Sequence, residues 1–234
     1  MLQVFNTKEE YNKFIENDPI LKSGILYYIK EDNSGHFATN NIEDEYKIYD
    51  IGGGDTEDDR IVAIFRKVDG QGSRAIMGMY VADYIDEIEI DGVKQETIEQ
   101  FVTLPQGNHV IKYKLKNNTV LPENMFSSCG DLISVTLPSS ITSILATAFS
   151  SCEKLTSINI NNNLGGNITS FGYNAFYYCK LLASIIIEST TPPVINGLFN
   201  SSYVPKIYVP AESVDAYKSA TGWSAYADNI QAIP

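Results

Sequence analysis

The sequence predicts a β-rich α+β chain whose carboxyl half is a leucine-rich-repeat solenoid. Three observations carry this. First, the unit Met125-Phe126-Ser127-Ser128-Cys129-Gly130-Asp131-Leu132 returns as Ala148-Phe149-Ser150-Ser151-Cys152-Glu153-Lys154-Leu155 and as Ala175-Phe176-Tyr177-Tyr178-Cys179-Lys180-Leu181-Leu182. A degraded copy follows at Leu198-Phe199-Asn200-Ser201-Ser202. Second, the phenylalanines fall 23, 27 and 23 residues apart, and a period in the twenties with fixed apolar positions marks stacked coils. Third, a short β-prone run follows each copy. The predicted architecture adds a β-rich N-terminal cap, a short helical C-terminal cap and a small separate α+β module at the N-terminus.

Residues 1–51 read as that module. Leu2–Phe5 is a strand. Thr7 with Glu10 forms a capping-box pattern for a helix that carries Tyr11, Phe14 and Ile15 on one face, and Pro19 stops it. Residues 24–30 are β-branched and aromatic, Asp32–Gly35 is turn chemistry, and 36–40 and 46–49 supply further strands. So few elements enclose a thin core, and the module is expected to lean on a partner. Residues 52–59, three glycines among acids, read as a flexible linker. Clustered acids also suit calcium, but the spacing matches no EF-hand loop.

Residues 60–117 read as a β cap. Ile61–Phe65 is apolar and β-prone, and residues 70–73 turn the chain. Ile85–Ile90 alternates apolar and acidic residues, and Asp91-Gly92 signals a hairpin. Pro105–Asn108 joins expected strands at 98–104 and 110–115, with Ile111, Tyr113 and Leu115 facing inward. A coil stack exposes an apolar cross-section unless its first coil is covered, which gives this block its purpose.

The repeats occupy 118–209. Their strands are Leu132–Leu137, Leu155–Ile160, Leu182–Ile187 and Lys206–Val209. Alternation turns Leu132, Val135, Leu137, Leu155, Ile158 and Ile160 inward. It leaves two outward columns, Ser134, Ser157, Ser184, Lys206 and Thr136, Asn159, Ile186, Tyr208. These eight residues are the candidate binding face, and the competing reading is a solvated sheet face. Residues 141–144 and 168–171 form the opposite wall, and 161–167 bulge as a loop. Cys129, Cys152 and Cys179 share one place in successive copies and are expected as buried thiols rather than a disulfide or metal site. In the C-terminal cap, 210–234, residues 211–218 form a short helix ended by Gly222. Trp223, Tyr226 and Ile230 lie over the last coil, Trp223 being a cap residue or else a ligand platform.

Composition excludes several functions. The chain holds 29 acids and 17 basic residues, and residues 1–59 carry 14 acids against 5 lysines. No basic cluster exists to neutralise phosphates, so nucleic-acid binding is not expected. No apolar run approaches the ~20 residues of a membrane span, and the first residues do not form a secretory signal. His36 and His109 stand at strands or strand edges without the rest of a catalytic site, and Gly52–Gly54 is no phosphate loop. No catalytic residues, metal site or cofactor are expected. Tyr27, Tyr28, Tyr177 and Tyr178 are either sugar-contacting or packing aromatics.

The pattern Ile141-Thr-Ser-Ile144…Ala148-Phe149…Cys152…Leu155…Ile158 resembles the BspA-type leucine-rich repeats of gut Bacteroidales. The ending from Tyr208-Val209-Pro210 through Gly222-Trp223 to Ile230 resembles the terminator of such arrays. Residues 88–92 with 107–113 resemble the β segment that precedes them. The resemblance spans about 60–234 and implies a right-handed solenoid that binds proteins or surfaces without catalysis, although the fourth repeat lacks the cysteine. Residues 4–11 and 26–32 are similar to the start of fibre-like virion proteins of phages infecting Bacteroidales. This second resemblance implies a virion component, homo-oligomeric, that docks on a virion or surface protein through residues 1–51. The repeats would then face a host-surface protein or glycan. The alternative is a bacterial cell-surface adhesin, with an export signal upstream of Met1.

Overall fold

The computed structural model describes residues 2–5, 25–29, 34–40, 46–50, 59–68, 72–160, 168–199 and 203–233, with side chains from Asp59 onward except Asn159. It is β-rich with few helices. The helix expected after Thr7, residues 52–58 of the expected linker and the 161–167 loop lie outside the described residues.

Near the N-terminus four strands pair in the order β1 (Leu2–Phe5), β2 (Ile25–Ile29), β3 (Ser34–Asn40) and β4 (Tyr46–Asp50). β1 runs parallel to β2, and β2, β3 and β4 form antiparallel pairs. All four strands expected from β-branched and aromatic runs are present.

A nine-stranded sheet organises the remainder. The elements before the repeats are β5 (Ile61–Lys67), β6 (Arg74–Ala75), β7 (Ile85–Ile90), β8 (Val93–Lys94), β9 (Phe101–Val102) and β10 (Gly107–Leu115). Within the repeats come β11 (Val120–Leu121), β12 (Leu132–Leu137), β13 (Ser143–Ile144), β14 (Ser157–Ile160), β15 (Ser170–Phe171), β16 (Ser184–Ile187), β17 (Val194–Ile195) and β18 (Lys206–Val209), and β19 (Ile230–Ala232) closes the chain. The sheet order is β19-β18-β16-β14-β12-β5-β10-β7-β8. Neighbours from β12 to β19 are parallel. β5 lies antiparallel to both β12 and β10 and so joins the cap to the first coil. The opposite wall is a second parallel sheet, β11-β13-β15-β17.

The repeat chemistry explains this stacking. Phe126, Phe149, Phe176 and Phe199 form one column, with successive ring centroids 5.4, 5.1 and 5.8 Å apart. Backbone bonds tie the same positions together, Phe126 N–H to Ala148 O at 2.7 Å and Phe149 N–H to Ala175 O at 2.8 Å. Cys152 donates its thiol to Phe126 O and Cys179 to Phe149 O, each at 3.0 Å. Tyr113 meets Phe126 edge-on at 5.4 Å, so the cap continues the same core. On the other wall Thr142 and Thr169 donate their hydroxyls to Thr119 O and Thr142 O of the coil before.

Leu132 and Val135 both face the core although three residues apart. A register shift between Leu132 and Ser134 absorbs the extra residue, as a β-bulge does. The expected strand at 98–104 is corrected: only Phe101–Val102 is extended, and it pairs with β6 rather than β10. β5 has already taken the edge of β10 that a hairpin partner would need.

At the carboxyl end a 3-10 turn, Ala211–Ser213, leads into α1 (Val214–Ser219). Gly222, at φ +84°, turns the chain out of it. Trp223 is fully buried, donates Nε1–H to Pro193 O at 2.7 Å and packs edge-on against Tyr217 and Phe171. That contact set gives Trp223 a packing role. Ile230 does more than cover the last coil, since it opens β19 and extends the sheet.

Candidate interaction surfaces

The structure brings the two predicted columns together in register. Ser134, Ser157, Ser184 and Lys206 align across adjacent strands, as do Thr136, Asn159, Ile186 and Tyr208. Their exposure contradicts the expectation. Ser134 is 2% exposed, Thr136 5%, Ser157 7%, Ser184 8% and Ile186 1%. Tyr208 is half-buried, Lys206 alone is open, and the Asn159 side chain lies outside the described residues. The physical reason is a second apolar cluster on this face. Ile64, Ile133 and Ile186 form it, with Tyr208 and Ile233 packed against it. Among the described residues the hydroxyls of Ser134, Thr136 and Ser157 have no hydrogen-bond partner. The column is therefore not a solvated face in the folded chain.

The open aromatic surface lies at the edge of the third and fourth coils. Tyr177 and Tyr178 are exposed and stack on each other at 5.7 Å, joined by exposed Tyr173, Leu181 and Tyr203. Tyr177 and Tyr178 thus pack on each other at the surface, outside the core. Tyr178 stands where the earlier coils carry Ser128 and Ser151, and all three are left-handed, with φ between 61° and 63°. A bulky side chain is uncommon in that region. Lys180 sets its ammonium 4.3 Å from the Tyr178 ring and bonds Glu153 at 3.0 Å, which raises its pKa. Beside Tyr178 a cavity of about 220 Å³ is lined by Phe176, Cys179, Leu182, Phe199, Tyr203 and Pro205 among others.

The titratable groups form local structural pairs. His109, expected as an exposed or edge histidine, is 4% exposed. Its Nδ1 meets Asp91 Oδ2 at 2.7 Å and its Nε2 meets Pro105 O at 3.0 Å. Two acceptors favour the doubly protonated ring, and the bond to Asp91 raises the pKa against the opposing effect of burial. The pair pins the Asp91-Gly92 turn to the loop before β10. Asp131 accepts from Arg74 at 3.0 Å and Lys154 at 2.6 Å, clasping the cap to two coils. Cys129, Cys152 and Cys179 are free and buried, and burial pushes the Cys179 thiol up to about 12. Thiols held protonated neither ligate metals nor attack electrophiles. Among the described residues no group of three or more His, Cys, Asp or Glu converges on a metal position, and no helix is long and apolar enough to cross a membrane.

Alternation placed the eight strand residues on one face but could not reveal what meets that face. The exposed tyrosines had a sequence signal, Tyr-Tyr where two earlier coils have Ser-Ser.

Residues 110–221 match the family model described as BspA type Leucine rich repeat region, in six copies. No curated protein matches the chain. Repeats of this kind generally serve protein interaction rather than catalysis.

Proposed function

We propose that this chain is a non-enzymatic interaction protein of a phage virion, of fibre or decoration type. Residues 1–51 dock it on a virion partner, and the repeats face a protein or glycan of the host surface. The observation that carries the interaction role is the exposed aromatic edge at Tyr173, Tyr177, Tyr178 and Tyr203 on a rigid stack of repeats. Tyrosine supplies contact area at low conformational cost, which suits it to recognition. The similarity of residues 4–11 and 26–32 to fibre-like virion proteins supports the virion setting.

The repeat match supports a second reading equally, a bacterial surface adhesin with the same aromatic edge as its contact. One experiment separates the two. Mass spectrometry of purified particles, beside the surface fraction of host cells, finds the chain at stoichiometric copy number in particles under the first reading. Presence in the cell-surface fraction alone overturns it in favour of the second.

A further inference from the structure

The outer face of the nine-stranded sheet is dry although the described residues supply too little to cover it. Ile186 is 1% exposed and Ile64 0%. An isoleucine on an open sheet face keeps much of its side chain in water, so such values require a layer above it. Among the described residues the partly buried hydrophobic side chains packed on the cluster are Tyr208 and Ile233, both near its β18–β19 end.

We propose that residues 1–58 form the second layer, seated on the outer face of β5, β12, β14 and β16. Three observations select this occupant. The first is apolar content. Of the segments outside the described residues, 69–71, 161–167, 200–202 and 234 hold one large aliphatic side chain between them, Leu164. Residues 1–58 hold ten leucines and isoleucines and eight aromatic residues. The second is continuity. The segment runs into Asp59 and then β5, whose Val62 and Ile64 are part of the face. The third is charge. Residues 1–59 carry 14 acids against 5 lysines, whereas Arg66 and Lys206 stand on the outer side of their strands around the cluster; Lys112, on the same side, lies opposite Glu89 of β7. Opposite signs across such a contact favour this register over others.

The layer solves a problem for each side. The four strands described there have too thin a core to stand alone, and the repeat sheet has an apolar face that would otherwise be wet. The contact leaves the aromatic edge at Tyr177 and Tyr178 free, and it does not depend on the virion reading.

The test uses the full chain carrying Ser157→Cys, with Ser128→Cys as an exposed control. The native thiols are buried and contribute little background. Cys at 157 should react with a thiol reagent at least about a hundredfold more slowly than Cys at 128. Cutting the folded chain at a protease site placed within 52–58 and separating the pieces in high salt should bring the two rates within about threefold, with native Trp223 emission retained. Equal rates in the intact chain overturn the proposal. So does protection that persists after residues 1–58 are gone. Should the remainder unfold on removal, zero-length carboxylate–amine coupling of the intact chain decides. Links from Lys112 or Lys206 to acids of residues 1–58 support the layer, and links only to acids beyond residue 58 overturn it.

Discussion

His109 Nδ1 lies 2.7 Å from Asp91 Oδ2 while its other nitrogen faces the Pro105 carbonyl, so the ring bridges a turn and a loop through two acceptors that favour its protonated form. The folded pKa is raised above the ordinary value of 6.5. Stability from the pair is fully present below pH 6.5 and is lost as pH rises through the folded value. Asp91 is half exposed, so screening limits the contribution to about 1 kcal/mol. Urea unfolding at pH 6 and pH 9 should show this loss, and Asp91→Asn should flatten it. An unchanged slope in that variant would show the titration to have another source.

Phe149 is sandwiched between Phe126 and Phe176 with no solvent exposure. Phe149→Ala should cost about 3–5 kcal/mol. Phe199 ends the column at 8% exposure, and its truncation should cost less. Denaturant midpoints of the two variants check the order.

Gly172 packs against the preceding coil. A Cβ there would sit 2.3 Å from Ala146 N and 2.6 Å from Leu145 C. Backbone cannot step aside as a side chain can, so Gly172→Ala should destabilise by at least about 2 kcal/mol. Gly130, where a Cβ meets nothing within 4 Å, serves as the tolerant control in the same unfolding series.

The three thiols form one interior column and stay protonated. Ellman titration of the native chain at pH 8 should count none of them within minutes, and three in guanidinium. A native thiol that reacts at once would contradict the column.

The repeat period alone located Phe126, Phe149 and Phe176, the cysteines beside them and the strands from Leu132 to Val209, because one residue in each coil must fill the same space as its equivalent in the next. Tertiary partnership was less legible. Alternation says that Ser157 and Ile158 point to opposite sides of a strand, but it cannot say that both sides are dry. Nor does it say that β5 would take the edge of β10, or that Ile230 would begin a strand, since both outcomes depend on pairing between distant segments. The burial of His109 within its strand was hidden for the same cause. Its acceptors, Asp91 and Pro105, come together only when the hairpin and the loop close.

β5 stands in the interior of the large sheet, yet it leaves the ribosome before both of its neighbours. Until synthesis has passed Leu115, Ile61-Val62-Ala63-Ile64-Phe65 has neither flank, and until it has passed Leu137 it has only β10. An uncharged, apolar run rich in β-branched residues in that condition is the kind of segment that seeds intermolecular cross-β contacts. Chain elongation past the first coil thus sets a window of aggregation risk, and truncations that end before it would be the ones to precipitate.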